Sequence, residues 1–188
     1  MIQPNASCAR WGVRDATEGS GTREAIEAIH AEAHDAIVEP LLEDSDVVVP
    51  VITCGGMPAI LAMMLVEQAD PAHLRTYSEK RDLVESGHKY QLLPFLEEVH
   101  AAEIADYTRR LAGTFFPFDY GRFEFRFDPA TGQIRFLEVN LNCNLWPEKV
   151  LGKSAKLIGW NHDDLIETIL CESLSRHGLL AMQESLAA

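Results

Sequence analysis

Gly121-Arg-Phe-Glu-Phe-Arg-Phe127, followed by Asp128-Pro-Ala-Thr-Gly-Gln133 and Ile134-Arg-Phe-Leu-Glu-Val-Asn140, reads as two strands joined by a turn. Strand side chains alternate between faces, so Phe123, Phe125 and Phe127 share one side while Arg122, Glu124 and Arg126 share the other. Glu138 and Asn140 likewise share a face. If Asp128 pairs with Ile134 across a five-residue loop, Glu124 falls directly opposite Glu138. Two like charges facing each other destabilise a sheet unless something positive lies between them. A divalent cation would supply that charge. Mg²⁺ favours hard oxygen ligands, commonly one or two carboxylates together with substrate phosphates, and Glu124, Glu138 and the Asn140 amide are donors of that kind. The same alternation also fits an ordinary hairpin with one solvated face, and a slip of one residue would send the glutamates to opposite sides.

The company this hairpin keeps carries a family resemblance. Arg122-Phe-Glu-Phe-Arg126 and Phe136-Leu-Glu-Val-Asn-Leu-Asn142 resemble the C-terminal catalytic segment of the ATP-grasp enzymes, most of all the D-alanine–D-alanine ligase family. Ser154-Ala-Lys-Leu-Ile-Gly159 and Asp163-Asp-Leu-Ile-Glu-Thr-Ile-Leu170 look like that family's closing segment. Thr76-Tyr-Ser-Glu-Lys80 resembles its Tyr-x-x-Lys stretch, and Ala36-Ile-Val-Glu-Pro-Leu-Leu42 its adenine-binding strand and linker. Ile2-Gln-Pro-Asn-Ala-Ser-Cys-Ala-Arg-Trp-Gly-Val13 aligns with the strand and loop that close over the phosphates. Each motif is short. Their shared order and spacing, over almost the whole chain, are the specific part.

The resemblance implies ATP, Mg²⁺ or Mn²⁺, and small carboxylate and amine substrates joined through an acyl phosphate. In such a reaction positioning and electrostatics do most of the work. Glu124, Glu138 and Asn140 would hold the metal, and Arg122 would steady the γ-phosphate or an oxyanion. Lys80 would contact phosphate, the backbone at Leu41 and Leu42 with Glu39 would read adenine, and Asp46 would accept from ribose. Asn142 and Asn144 would shape the acceptor side, although both also suit turns that bond their own backbone.

There are departures too. Gln3 stands where the family usually has a phosphate-contacting lysine, and it can donate a hydrogen bond but cannot neutralise charge. The loop Ser7-Cys-Ala-Arg-Trp-Gly12 lacks the family's Gly and Ser richness, with Arg10 as a compensating cation. Asn144 replaces a glycine near the oxyanion. Set against the family, the sequence begins inside the central subdomain, giving a partial nucleotide-lid portion over 1–46 and the catalytic portion over 47–188. The expected architecture therefore lacks the usual N-terminal domain, and an upstream domain or partner subunit would complete the cleft. A catalytically silent remnant that senses nucleotide or binds protein is the other reading.

Composition sets the bounds. The chain has 188 residues, 47% of them hydrophobic and 24% charged, enough for a substantial core. A net charge of −13 argues against general affinity for nucleic acid or anionic membrane surfaces. No apolar run approaches the ~20 residues of a membrane span, and the first residues lack a signal-peptide pattern. Cys8, Cys54, Cys143 and Cys171 show no C-x-x-C pairing, which suits reduced thiols in a cytoplasmic protein.

Periodicity predicts a helix over Thr22–Ala36, with His30 and His34 as surface side chains in the absence of a third ligand. Val47–Ile52 and Met57–Val66 read as a hairpin with Gly55-Gly56 at its tip, Pro50 and Pro58 favouring edges or bulges; the second arm is also compatible with a helix. A helix is expected over Leu93–Ala112 with Leu96, Val99, Ile104 and Leu111 inward, and another over Asp163–Arg176. The order of elements suggests an α+β fold with mostly antiparallel sheet flanked by helices.

Overall fold

A computed structural model describes residues 1–6, 13–14, 19–40, 45–68 and 90–180. The chain divides into two compact units, Met1–Glu43 with Gln68–Lys89, and Asp44–Glu67 with Tyr90–Ala188. In the first, β1 (Ile2–Pro4) pairs antiparallel with β2 (Ala36–Val38), and α1 (Gly19–Ala31) lies between them in sequence. Ile2 is buried with Ala25 and Ile29, so the apolar face of α1 packs on β1. The helix begins and ends earlier than its periodicity suggests: Ala33 takes a positive φ, and the chain turns out of the helix there into β2.

The second unit holds β3 (Ser45–Cys54), β4 (Met57–Ile60), β5 (Met64–Gln68), β6 (Tyr90–Pro94), α2 (Glu98–Phe115), β7 (Tyr120–Phe127), β8 (Ile134–Asn140), α3 (Val150–Leu157) and α4 (His162–Arg176). Its sheet runs β6-β5-β3-β7-β8, with β4 also paired to β3, and β3 is antiparallel to β4, β5 and β7, as β7 is to β8. Strand β3 is the axis. Val47 through Thr53 are all buried because helices cover both of its faces, which is why its apolar residues run continuously instead of alternating. On one face Val47, Val49, Val51, Phe123, Phe125 and Phe127 pack with Ile104 and Ala112 of α2. On the other, Ile52 joins Leu151, Ala155, Leu165 and Ile169 of α3 and α4, while Val48 meets Met64, Val66 and Val150.

The expected hairpin from β3 is present, its Gly55 and Gly56 both at positive φ as a tight two-residue turn requires. Its second arm is strand, not helix, and it is broken in two. Residues Leu61 to Met63 leave the ladder opposite Pro50, which has no N–H to give; only its carbonyl is used, accepting from the Leu61 N–H. Pro50 thus sits in a central strand, tolerated because its bare side meets this interruption. Ser154 of α3 donates its hydroxyl to the Ala62 carbonyl, which this break leaves outside the ladder, so the break becomes the seat of α3. At the hairpin tip, the Gly55 and Gly56 N–H groups donate to the Glu172 carboxylate of α4. Glu172→Ala should lower stability by about 1 kcal/mol. Amide exchange at Gly55 and Gly56 should also accelerate, and unchanged exchange would contradict this tie.

Two expectations for α2 need correction. The segment begins as strand, with β6 running to Pro94, so the helix starts only at Glu98; Leu96 then lies outside it and is 81% exposed, and Val99 in its first turn is 79% exposed. At the other end the helix continues through Gly113 to Phe115, whose ring packs edge-on against Phe123. Ile104 is fully buried as expected, and Leu111 packs against the core. The last helix matches its reading closely, opened by a capping box between Asn161 and Asp164.

Candidate metal and phosphate site

β7 and β8 form the hairpin, but not in the register expected at its loop. Phe127, not Asp128, pairs with Ile134, and Asp128 instead orders the turn, its carboxylate accepting from the Ala130 N–H and the Thr131 hydroxyl. These bonds hold its carboxyl below the usual range, the Thr131 hydroxyl first among the causes. A register shift beside Leu137 then compensates, and from there upward Glu124 pairs with Glu138, Phe123 with Val139 and Arg122 with Asn140. The two glutamates face each other on one side of the sheet, with Arg122 and Asn140 as the next pair on that side.

The same face can be followed across the sheet. Val48 lies beside Glu124 and Met64 beside Val48, giving an apolar floor next to the carboxylates; one step along, Asp46 lies beside Arg126. At the far end the face is closed by the α3 and α4 cluster, in which Cys143 is buried and Tyr120 packs. Arg122 grips Glu124, its Nη2 at 2.6 Å and its Nε at 2.8 Å from Oε1. Burial, the largest single influence, would lower the Arg122 pKa, yet the charge and hydrogen bond of Glu124 together with Cys143 and Glu138 outweigh it, and the net shift is upward. Both glutamates therefore act on one guanidinium. Cys143, by contrast, is pushed up to about 11 by burial against the counter-pull of Arg122, so its thiol is an inert filler.

Beyond β8 the chain is shaped by asparagines. The Asn140 amide oxygen accepts the Asn142 N–H at 3.0 Å, and that of Asn144 accepts the Trp146 N–H at 2.8 Å. Such turns hold each side chain against its own backbone. Asn140 keeps a second lone pair for a ligand, since an amide oxygen carries two. Asn142 also accepts from the Tyr120 hydroxyl at 3.4 Å.

No protein-family model matches this sequence, and no curated protein matches it by sequence. Solved structures do match. D-alanine–D-alanine ligase from Bacillus anthracis superposes with a TM-score of 0.72 at 16% identity, over 94% of this chain and 55% of its own. VanG D-Ala:D-Ser ligase from Enterococcus faecalis gives 0.73 at 17%, over 91% and 48%, and D-alanyl-alanine synthetase A from Vibrio cholerae 0.70 at 18%, over 93% and 51%. This is the ATP-grasp fold of the D-alanine–D-alanine ligases. The chain spans about half the length of the ligases it matches.

Within this ligase fold the site residues expected from sequence are distributed unevenly. Arg122, Glu124, Glu138 and Asn140 come together as described. Asp46 is nearby on the same face, but its carboxylate is engaged by Arg126 Nε at 3.0 Å, both side chains nearly buried. Gln3 and Glu39 belong to the other unit, where the Gln3 amide donates to the Glu39 carboxylate at 2.8 Å. Arg10, Leu41, Leu42 and Lys80 lie outside the described residues. Arg126 is the functional-face residue to which sequence reasoning gave no role, although the alternation that selects Arg122 and Glu124 selects it too. Among the described residues no three His, Cys, Asp or Glu side chains converge, so the donor set is two carboxylates and an amide. Cys54, Cys143 and Cys171 are unbridged, and no described helix is long and apolar enough to cross a membrane.

Proposed function

We propose that this chain is a segment of an ATP- and Mg²⁺-dependent carboxylate–amine ligase, in which a substrate carboxylate is phosphorylated and an amine then displaces phosphate. The observation that carries this reading is the Glu124–Glu138 register with Arg122 and Asn140 in the adjoining pair. Facing carboxylates with a neutral amide oxygen suit Mg²⁺ or Mn²⁺, hard cations that take oxygen ligands and leave positions for phosphate. When bound, the metal screens the β- and γ-phosphate charge. Glu124 and Glu138 would hold it, Asn140 would contribute its amide oxygen, and Arg122, already fixed by Glu124, would present its guanidinium to the transferring phosphoryl or an oxyanion. Small carboxylate and amine substrates would enter over the Asn142 to Asn144 turn. Among the matched structures, a Bacillus anthracis D-alanine–D-alanine ligase complexed with ATP supports the choice of nucleotide.

A second reading, a catalytically silent module that senses nucleotide or binds protein, draws on two observations. Asp46 is tied to Arg126, and Gln3 to Glu39. Calorimetric titration of the folded protein with ATP, with and without Mg²⁺, separates the two. The ligase reading expects Mg²⁺-dependent binding that Glu138→Gln weakens by more than about tenfold. Absence of nucleotide binding in the wild type would leave only the protein-binding form of the silent module standing.

A further inference from the structure

Two facing carboxylates call for positive charge beside them, and the chain carries a source of its own. Arg122 stands one pair along from Glu124 and Glu138 on the same face, and its side chain runs back along β7 to Glu124. Nη2, at 2.6 Å, and Nε, at 2.8 Å, converge on a single oxygen, Oε1. With only 27% and 16% of the two side chains exposed, salt and water screen the pair little. The charge of Glu138 reaches the same guanidinium. Arg122 thus supplies the compensation that a divalent cation would also supply, on a carboxylate that the cation would need.

Resting on the metal reading above, we infer that Arg122 has a second role as a gate on the metal: closed on Glu124 it opposes a free divalent cation, and it yields when a triphosphate draws its guanidinium away. A cation arriving at Glu124 must displace Arg122 from Oε1 or share the carboxylate with it, and two positive groups so close repel each other. Either way the ion alone binds more weakly. Phosphate oxygens offer the planar guanidinium a bidentate partner of higher charge, so a polyphosphate relieves the competition. Metal and triphosphate then favour each other through Arg122 as well as through their direct contact, and by linkage the effect is reciprocal.

The test compares the full wild-type chain with Arg122→Gln. Electron paramagnetic resonance of free Mn²⁺ gives the affinity for the ion alone, and calorimetry at saturating Mn²⁺ gives that for a non-hydrolysable ATP analogue. Arg122→Gln should bind Mn²⁺ alone about tenfold tighter than wild type. It should bind the analogue about tenfold weaker, having lost a charge-assisted phosphate contact. The opposed signs mark a gate, because an arginine that only orients Glu124 for the metal would weaken both when removed. Should Arg122→Gln fail to fold, nuclear magnetic resonance of the wild-type Arg122 Nε–H decides: Mg²⁺ with the analogue should move this signal, and Mg²⁺ alone at the same concentration should leave it in place. Mn²⁺ affinity in Arg122→Gln equal to or below wild type, or a signal that moves as far with Mg²⁺ alone, overturns the gate while leaving the metal site standing. A wild-type chain that binds Mn²⁺ neither alone nor with the analogue overturns the metal reading itself, and the gate with it.

Discussion

Phe123→Ala should destabilise the second unit by about 3–5 kcal/mol, more than any conservative change on the charged face of the same strand. Phe123 is fully buried, with the rings of Phe115 and Phe118 at centroid distances of 6.4 and 6.1 Å, and it stands beside Val139 of β8 and Val49 of β3. Truncation removes aromatic contacts to three elements at once and leaves a cavity that a close-packed interior cannot fill by relaxing. Phe136→Ala, on the same hairpin but 40% exposed, should stay within about 1 kcal/mol of wild type. Urea denaturation of both variants checks the contrast. Equal losses would mean that the aromatic face of β7 does not anchor the hairpin.

The second large effect concerns two helical glycines with opposite expected signs. A Cβ on Gly152 of α3 would lie 2.4 Å from the Pro147 carbonyl oxygen and 2.5 Å from its Cα, backbone atoms that cannot swing aside. Gly152→Ala must therefore lift α3 or displace the segment leading into it from β8. Either movement disturbs Leu151, Ala155 and the Ser154 bond to Ala62, and the expected loss is about 3 kcal/mol. Gly113 of α2 meets nothing within 4 Å, so Gly113→Ala should stabilise by about 0.5–1 kcal/mol through helix propensity alone. Thermal unfolding of the two variants distinguishes close approach from mere flexibility. A neutral Gly152→Ala would show that α3 is not seated on Pro147.

How far these features can be read from residues alone depends on how local their causes are. The alternation in β7 and β8 is a neighbour-to-neighbour property, so the faces of Phe123, Glu124, Glu138 and Asn140 are legible without a fold. The loop register is not: the expected Asp128–Ile134 pairing is one residue off, because the Asp128 carboxylate is drawn into its own turn, and the irregularity beside Leu137 restores the facing glutamates. A correct face was thus reached through an incorrect turn. The start of α2 fails for a different reason. Apolar spacing over Leu93–Val99 fits a helix, but the pairing of β6 with β5 claims the first residues, and a strand partner distant in sequence leaves no periodic trace. The Asp46–Arg126 ion pair is hidden in the same way, since it exists only once β3 lies against β7. Pro50 in a central strand breaks a sound expectation for proline, and only the interruption opposite it explains why it is tolerated.

On the reading proposed above, the carboxylates of Glu124 and Glu138, with the Asn140 amide, seat a divalent cation on the β7–β8 face. Anomalous diffraction from crystals of the chain grown with Mn²⁺ and ATP tests it most directly. A manganese peak is expected between the Glu124 and Glu138 carboxylates, within coordination distance of both and of the Asn140 amide oxygen. Well-ordered glutamates with no manganese between them, or manganese bound only elsewhere on the chain, would contradict it.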